Sequence, residues 1–510
     1  MNIAFRADAS LEIGTGHVMR CLALAQELAR RGHVCRFICR DLPGNLGARI
    51  AAEFPLTLLP APDGPAPAPP PAHAAWARVA PSRDADETAA ALGPCDWLVV
   101  DHYALDARWQ TAARPPGARL LVIDDLADRP HACDLLLDQT LGRAGADYDA
   151  LLPPEAEVLA GPRHALLRPE FAAARADAIA RRGGGGLRHL LIAPGGVDAG
   201  NVTGRALRAL AGLPAAARPD GLRVTVALGP TAPHLAALRK LRLPFPCDVR
   251  SGVADMAALM RDADLCIGAA GGSAWERCAL GLPTALVVLA DNQRAGARAL
   301  ADAGAALWIG PPDAGFEGRL AAGLRRLSAP GALAAMAAAA QNIADGNGSA
   351  RVADAMDWPL ALRPARIEDA ETVWHWRAAL PADHFRAGLP PPLADHMAWW
   401  ARALADPAHG LLMAHGAHLR LDRIGGGRAA VSILLAPEAR GRGLGLRLLG
   451  LVAARARRAG LRGLVADVAA TNAASCALFR KAGYHDSGTR DGFIRFTRGL
   501  GAPEPRQEAP

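Results

Sequence analysis

The sequence predicts an α/β protein: two doubly wound domains in series, followed by a smaller α+β unit. Three observations carry this expectation. Short apolar strands alternate with amphipathic helices up to about residue 355. Several of these strands run into glycine-rich loops that open a helix, as ligand-binding α/β domains require. Around Trp358-Pro359 the alternation gives way to a different order of strands and helices.

At 510 residues the chain exceeds a single core, and about three domains of roughly 150 residues are expected. It is 51% hydrophobic and 21% charged, enough to bury a core in each. The net charge of +7 raises nucleic acid as a partner, but the pattern argues against it. Only Lys240 and Lys481 are lysines, the arginines are scattered, and no aromatic platform interleaves with a basic stripe. Solvated helix faces account for the charge. No apolar h-region follows Met1-Asn2-Ile3-Ala4-Phe5-Arg6, and no apolar run is long enough for a bilayer. A cytoplasmic protein without membrane or nucleic-acid partners is expected. Nine cysteines contain no CxxC pair, and Cys35 and Cys39 fall on one face of a strand, so buried reduced thiols are expected. No metal-ligand cluster stands out.

Residues 2–6 are predicted as a strand and 10–16 as a polar loop. His17–Arg31 reads as a helix with Val18, Cys21, Leu22, Ala25 and Leu28 on its apolar face. Val34–Ile38 is the next strand. Seven prolines among residues 60–71 read as an exposed insertion, away from the motifs. Trp97–Val100 and Leu120–Ile123 are buried strands ending in acids, Asp101 after the first and Asp124 and Asp125 after the second. A first domain over 1–165 is expected.

Gly183–Gly186 reads as a hinge or surface loop. The second domain, 166–356, places strands at Leu190–Ile192, Val224–Ala227, Leu265–Ile267 and Leu286–Leu289, and a helix near 331–355. The third unit, 360–500, places strands at Ala429–Leu435 and Leu464–Val468, and helices at Leu444–Ala459 and Ala473–Ala482.

Three loops carry candidate chemistry. Gly14-Thr15-Gly16-His17 lies at a helix N-terminus, where glycines let a phosphate approach and the free N–H groups and helix dipole favour its charge. By its spacing alone, His17 reads as a surface histidine. Gly271-Gly272-Ser273 opens a second helix, with Glu276 one turn in, where it could accept ribose hydroxyls. Gly195-Gly196 opens a third such turn. Any one of them can be a packing turn, whereas three in two α/β domains suggest a ligand cleft.

The runs Arg6-Ala7-Asp8-Ala9-Ser10 and Ile13-Gly14-Thr15-Gly16-His17-Val18-Met19-Arg20-Cys21-Leu22 resemble the opening of the pseudaminic-acid-pathway UDP-sugar hydrolases. So do Gly271-Gly272-Ser273-Ala274-Trp275-Glu276-Arg277-Cys278, Leu280-Gly281-Leu282-Pro283 and Ala290-Asp291-Asn292-Gln293. Val100-Asp101-His102-Tyr103 and Leu166-Leu167-Arg168-Pro169-Glu170-Phe171 also fit, so that the resemblance covers about 1–355. It implies a glycosyltransferase-B architecture of two Rossmann-like domains, with the nucleotide sugar between them. It implies His17 as the catalytic base, and UDP held near Gly272, Ser273 and Glu276. Asn292 would face the sugar or its phosphate, and Tyr103 and Asp101 are further sugar-side candidates. Val197 stands where the related loop often has Ser. The implied reaction is inverting hydrolysis of UDP-2,4-diacetamido-2,4,6-trideoxy-β-L-altropyranose, without a metal.

In the third unit, Arg440-Gly441-Arg442-Gly443-Leu444-Gly445 at a strand-to-helix junction is similar to the acetyl-CoA pyrophosphate loop of the GNAT N-acetyltransferases. Asn472-Ala473-Ala474-Ser475 and Leu478-Phe479-Arg480-Lys481-Ala482-Gly483-Tyr484 match that family's later segment. The resemblance implies acetyl-CoA as co-substrate. Phe479 stands where many members have a tyrosine acid, which leaves Tyr484 as a candidate acid. In the implied pathway, a 4-amino group is acetylated just before UDP is removed, so the fusion would join consecutive steps. Two other readings remain: a glycosyltransferase using a UDP-amino sugar, and a non-catalytic nucleotide-sugar sensor whose third unit acetylates another amine.

Overall fold

The computed structural model describes residues 1–64, 68–182, 186–215, 218–360 and 362–501. Most of the 183–186 hinge therefore lies outside the described residues, as does part of the Pro-rich stretch. The chain forms two compact units. One holds Met1–Arg129, Leu137–Ala144 and Leu159–Ala353; the other holds Pro130–Leu136, Gly145–Val158 and Asp354–Pro510.

The first sheet comprises β1 (Asn2–Ala7), β2 (Val34–Arg40), β3 (Leu56–Leu59), β4 (Trp97–Asp101), β5 (Arg119–Ile123), β6 (Leu135–Asp138) and β7 (Glu157–Ala160). Its order is β3-β2-β1-β4-β5-β6-β7, and the pairs from β3 through β5 are parallel. The second sheet comprises β8 (His189–Ala193), β9 (Arg223–Leu228), β10 (Cys247–Ser251), β11 (Leu265–Ala269), β12 (Thr284–Val287) and β13 (Leu307–Gly310). Its order, β10-β9-β8-β11-β12-β13, is parallel throughout. Each sheet reverses its winding beside its first strand, between β1 and β4 and between β8 and β11. Open parallel sheets bind ligands at the carboxyl ends of the strands flanking such a reversal.

Packing explains the elements. The helix Gly16–Arg30 buries Val18, Cys21, Leu22, Ala25 and Leu28, the face its periodicity predicts. The single helix expected near 331–355 is two, Ala332–Gln341 and Gly348–Asp357. Gly346 adopts φ +84° between them, and a Cβ there would stand 2.9 Å from the Ala172 backbone. This left-handed residue breaks the helix. The cysteines are free thiols, and both Cys35 and Cys39 are buried.

In the second unit, the sheet order is β14-β15-β16-β17-β18-β20-β19. Its strands are β14 (Arg363–Pro364), β15 (His409–Ala414), β16 (Ala417–Arg423), β17 (Arg428–Leu435), β18 (Gly463–Ala469), β19 (His485–Arg490) and β20 (Phe493–Gly499). β17 and β18 are parallel, and they pair only from Arg428–Gly463 to Ala430–Val465. Beyond that point the two strands part. Leu464, Ala466 and Val468 pack into the core shared with the helix Leu444–Arg458. The other face carries Ala370, Val373 and Trp400 of the helices Asp369–Ala378 and Leu393–Ala405. The 145–158 segment is tied to this unit by charge. Arg447 donates to Glu157 at 2.6 and 2.8 Å, and Arg457 donates to Asp149 at 2.9 Å.

Candidate active site

The Ser10–Gly14 loop follows β1. The Ser10 hydroxyl accepts from the Ile13 N–H at 2.9 Å, the Gly14 N–H donates to the Ser10 carbonyl, and Gly14 turns at φ +80°. This turn sets Thr15, Gly16 and His17 at the start of their helix. No side chain caps that start. Gly16 has an ordinary φ, and a Cβ there would point into open space. Neither conformation nor packing asks for glycine at 16.

His17 Nδ1 lies 2.6 Å from Asp101 Oδ1, across the reversal between β1 and β4. Asp101 is fully buried. Burial raises its carboxyl pKa, but Arg20 and His17 outweigh that and hold it well below the usual carboxylate range. An ionised acceptor fixes the proton on Nδ1, leaving Nε2 as the basic nitrogen. Arg20, one turn after His17, reaches both Asp101 oxygens at 2.5 and 2.7 Å and Asp125 at 3.1 Å. Tyr103 donates to the other Asp125 oxygen. Asp101 is thus spent on His17 and Arg20, which corrects the expectation that it faces the sugar. The Tyr103 ring, not its hydroxyl, faces His17, edge-on at 4.7 Å.

Two residues missed by sequence reasoning complete this wall. Trp76 stacks on Tyr103 at 5.3 Å and meets His17 edge-on at 6.1 Å. His73 packs against both Trp76 and Tyr103. Both come from the segment that follows the Pro-rich stretch, so the residues just after that stretch lie beside His17. Arg20 was legible as the residue one turn beyond His17; Trp76 had no local signal.

Beneath the wall lies a charged lattice. Arg6 and Arg40 donate to Asp84 at 2.9 and 2.6 Å, Arg6 also to Asp8, and Trp109 to the second Asp84 oxygen. Against burial, Arg6 and Arg40 pull Asp84 down to about 2. Arg6 and Asp8 are therefore engaged in this buried lattice, where Asp8 also accepts from the Arg40 N–H at 2.7 Å.

The second sheet places Gly195 and Gly196 after β8, and Gly271, Gly272 and Ser273 after β11. These two loops differ. The helix Val202–Ala211 spends its first N–H groups internally: Asp198 accepts from Val202 and Thr203, and Asn201 from Gly204. The expectation of a phosphate there is corrected to the glycines alone. The helix Ser273–Ala279 has no side-chain cap, and Gly272 has φ −51° with open space at its Cβ position. Arg277 holds this turn from below, donating to Ala269 at 2.6 Å and to Ser273 Oγ at 3.0 Å. A Cβ at Gly268 would stand 2.7 Å from the Arg277 guanidinium. Burial raises the Glu276 carboxyl pKa, against the lowering influence of Arg168 3.9 Å away. Asn292 lies in the short turn Asp291–Gln293, and its side chain is outside the described residues.

In the second unit, Gly441 and Gly443 turn at φ +77° and +74° with open Cβ positions, and Gly443 precedes Leu444 at the head of its helix. Gly445 is a packing residue, since a Cβ there would meet Leu478 at 2.9 Å. Arg440 donates to the Leu435 carbonyl and Arg442 to the Glu438 carbonyl, which shapes the loop. Asn472 caps its helix, its side-chain oxygen accepting from the Ser475 backbone N–H at 3.0 Å. Phe479 packs between Tyr484 and Phe496. Tyr484 is buried, its hydroxyl has no hydrogen-bond partner among the described residues, and burial raises its pKa. A sealed phenol is badly placed to serve as the acid expected of it.

Residues 371–484 match the acetyltransferase (GNAT) family. Residues 246–355 match the glycosyltransferase family 28 C-terminal domain. The parting of β17 from β18 and the Arg440–Gly443 turn fall within the GNAT match. The two parallel sheets make the region before it glycosyltransferase-B-like. Over 172 residues the chain is 27% identical to the UDP-2,4-diacetamido-2,4,6-trideoxy-β-L-altropyranose hydrolase of Campylobacter jejuni, covering 34% of this chain and 53% of that protein. It is 32% identical over 151 residues to the spore coat polysaccharide biosynthesis protein SpsG of Bacillus subtilis, covering 29% and 43%. The chain thus spans about half the length of the curated relatives it matches. The crystal structure of Acinetobacter baumannii MurG is 18% identical with a TM-score of 0.49, covering 70% of this chain and 99% of that one. Among the described residues, no helix is long and apolar enough to cross a membrane.

Proposed function

We propose that residues 1–356 hydrolyse UDP-2,4-diacetamido-2,4,6-trideoxy-β-L-altropyranose and that residues 360–500 acetylate the 4-amino group of its precursor, in the cytoplasm. The observation that carries the hydrolase half is the His17–Asp101 pair at the reversal point of a parallel sheet. His17 Nε2 takes a proton as water attacks the anomeric carbon from the face opposite UDP. The C1–O bond breaks, its electron pair leaves with UDP, and the sugar emerges inverted. The uncapped Ser273 helix, with Gly271 and Gly272 before it, stabilises the departing diphosphate. Glu276 takes ribose hydroxyls, and Gly14, Thr15, Gly16, Gly195, Gly196 and Asn292 border the substrate. Trp76 and Tyr103 wall the sugar.

In the second unit, acetyl-CoA would place its pyrophosphate on the Arg440–Gly443 turn, a cradle with open Cβ positions, and its thioester where β17 and β18 part. The acceptor amine attacks the thioester carbonyl, the C–S bond breaks, and CoA leaves as the thiol with the proton the amine gives up. The test is one incubation of the 4-amino UDP-sugar with and without acetyl-CoA, read by mass spectrometry. Free diacetamido sugar formed only with acetyl-CoA is the expected result; no free sugar in either arm defeats the reading.

The family 28 match favours one alternative, transfer of the sugar to an acceptor other than water. UDP released only on adding such an acceptor would establish it.

A further inference from the structure

The acetyltransferase unit holds a cationic cluster that the proposed chemistry leaves unused. Asp467 lies on β18, past the last pair with β17, in the stretch where the two strands have parted. Leu464, Ala466 and Val468 point into the core beneath the Leu444–Arg458 helix, so the alternation of a strand turns Asp467 to the opposite face. Arg495, its cross-strand neighbour on β20, donates to it at 2.8 and 2.9 Å. Arg386, from the loop between the helices Asp369–Ala378 and Leu393–Ala405, donates to it at 3.2 Å and lies 4.5 Å over the Phe493 ring.

Two guanidiniums share one carboxylate, so the cluster keeps a net positive charge. Their side chains are 47% and 59% exposed, which leaves donors turned to solvent. The opening between β17 and β18 therefore has two differently equipped sides: the glycine turn at the head of the Leu444–Arg458 helix, and an arginine pair beside an aromatic ring. A cationic mouth repels a bare ammonium and attracts an amine carried on a phosphate.

We infer that Arg386 and Arg495, with Phe493 beside them, form an acceptor subsite for the phosphate groups of a nucleoside-diphosphate-linked amine. This rests on the acetyltransferase half of the proposed function and names what that site reads.

The experiment uses the full chain and follows CoA thiol release. The acceptors are the UDP-linked 4-amino sugar and the same sugar without UDP. Arg386→Ala and Arg495→Ala should each raise KM for the UDP-linked acceptor about tenfold or more, the loss of a charge-assisted contact. KM for acetyl-CoA and for the free sugar should not move, and Arg→Lys at each position should recover part of the loss. An unchanged KM, or an equal rise for both acceptors as a mere loop latch would produce, overturns the inference. If wild type acetylates neither acceptor, the proposed reaction fails by itself, and calorimetry with UDP then decides on the subsite. Two UDP bound per wild-type chain and one per R386A/R495A chain support it; equal stoichiometry overturns it.

Discussion

His17 Nδ1 stands 2.6 Å from Asp101 Oδ1, and the carboxylate that receives it is buried and held by Arg20. The carboxylate thereby sets the tautomer of the ring. Asp101→Asn would retain the shape and lose the charge, so Nδ1–H would no longer be favoured. UDP release should slow by about 10²–10⁴-fold. Affinity for the UDP-sugar, measured by calorimetry, should change little. A variant with unaltered kcat would remove His17 from the chemistry.

Gly272 offers a cleaner separation of fold from function. Its φ of −51° suits any residue, and a Cβ there meets open space. Gly272→Ala should leave thermal stability unchanged or raise it by about 0.4–1 kcal/mol through the unfolded chain. UDP affinity should fall about tenfold, because the methyl would occupy the place of a diphosphate oxygen. A drop in melting temperature with intact UDP binding would show the glycine to be structural.

Periodicity made the fold class legible because the central parallel strands β4, β8 and β11 are buried on both faces, while a helix such as Gly16–Arg30 buries one. The Gly16–Arg30 helix buries the five residues its spacing indicated. The glycine loops were legible because strand, glycine and helix are adjacent in the chain. What was hidden is non-local. Nothing near Asp101 says that its side chain turns back to His17, 84 residues away. Trp76 follows a low-complexity stretch whose composition says only that it is not a helix or strand. The Asn201 turn had the composition of a phosphate loop, yet Asp198 fills it from within.

Trp76 and Tyr103 stack at 5.3 Å with 26° between their planes, and His17 sits at their edge. If the indole is the wall against which the sugar rests, Trp76→Ala should raise KM about five- to tenfold, the usual worth of one aromatic contact. Steady-state kinetics at fixed pH would show kcat within about twofold of wild type. A large loss in kcat at constant KM would place Trp76 in support of His17 instead.

Burial pushes His102 down to about 4, and His418 likewise. Both are neutral in the fold at pH values where the unfolded chain, near 6.5, already carries the proton. Their contribution is whole above pH 6.5 and is lost as pH falls from there towards 4. Each should cost on the order of 3 kcal/mol across that window. Denaturant unfolding at pH 7, 5.5 and 4.5 should show the decline, and His102→Asn should flatten it by about half. A stability flat between pH 7 and 4.5 would contradict the assignment.

Arg447 and Glu157 are 10% and 6% exposed and joined by two hydrogen bonds, within the unit that also holds the GNAT match. Arg447 further donates to the Trp358 carbonyl at 2.9 Å, at the start of the acetyltransferase segment. Removing one partner leaves a buried charge without its counter-ion, which typically costs about 3–5 kcal/mol. Arg447→Met and Glu157→Leu should each destabilise the second unit by that order, whereas the double variant should recover most of the loss by packing apolar groups together. Thermal unfolding followed through a double-mutant cycle measures the coupling. A coupling energy below about 0.5 kcal/mol would make the 145–158 segment a bystander, and residues 360–500 would then be expected to fold as well without it.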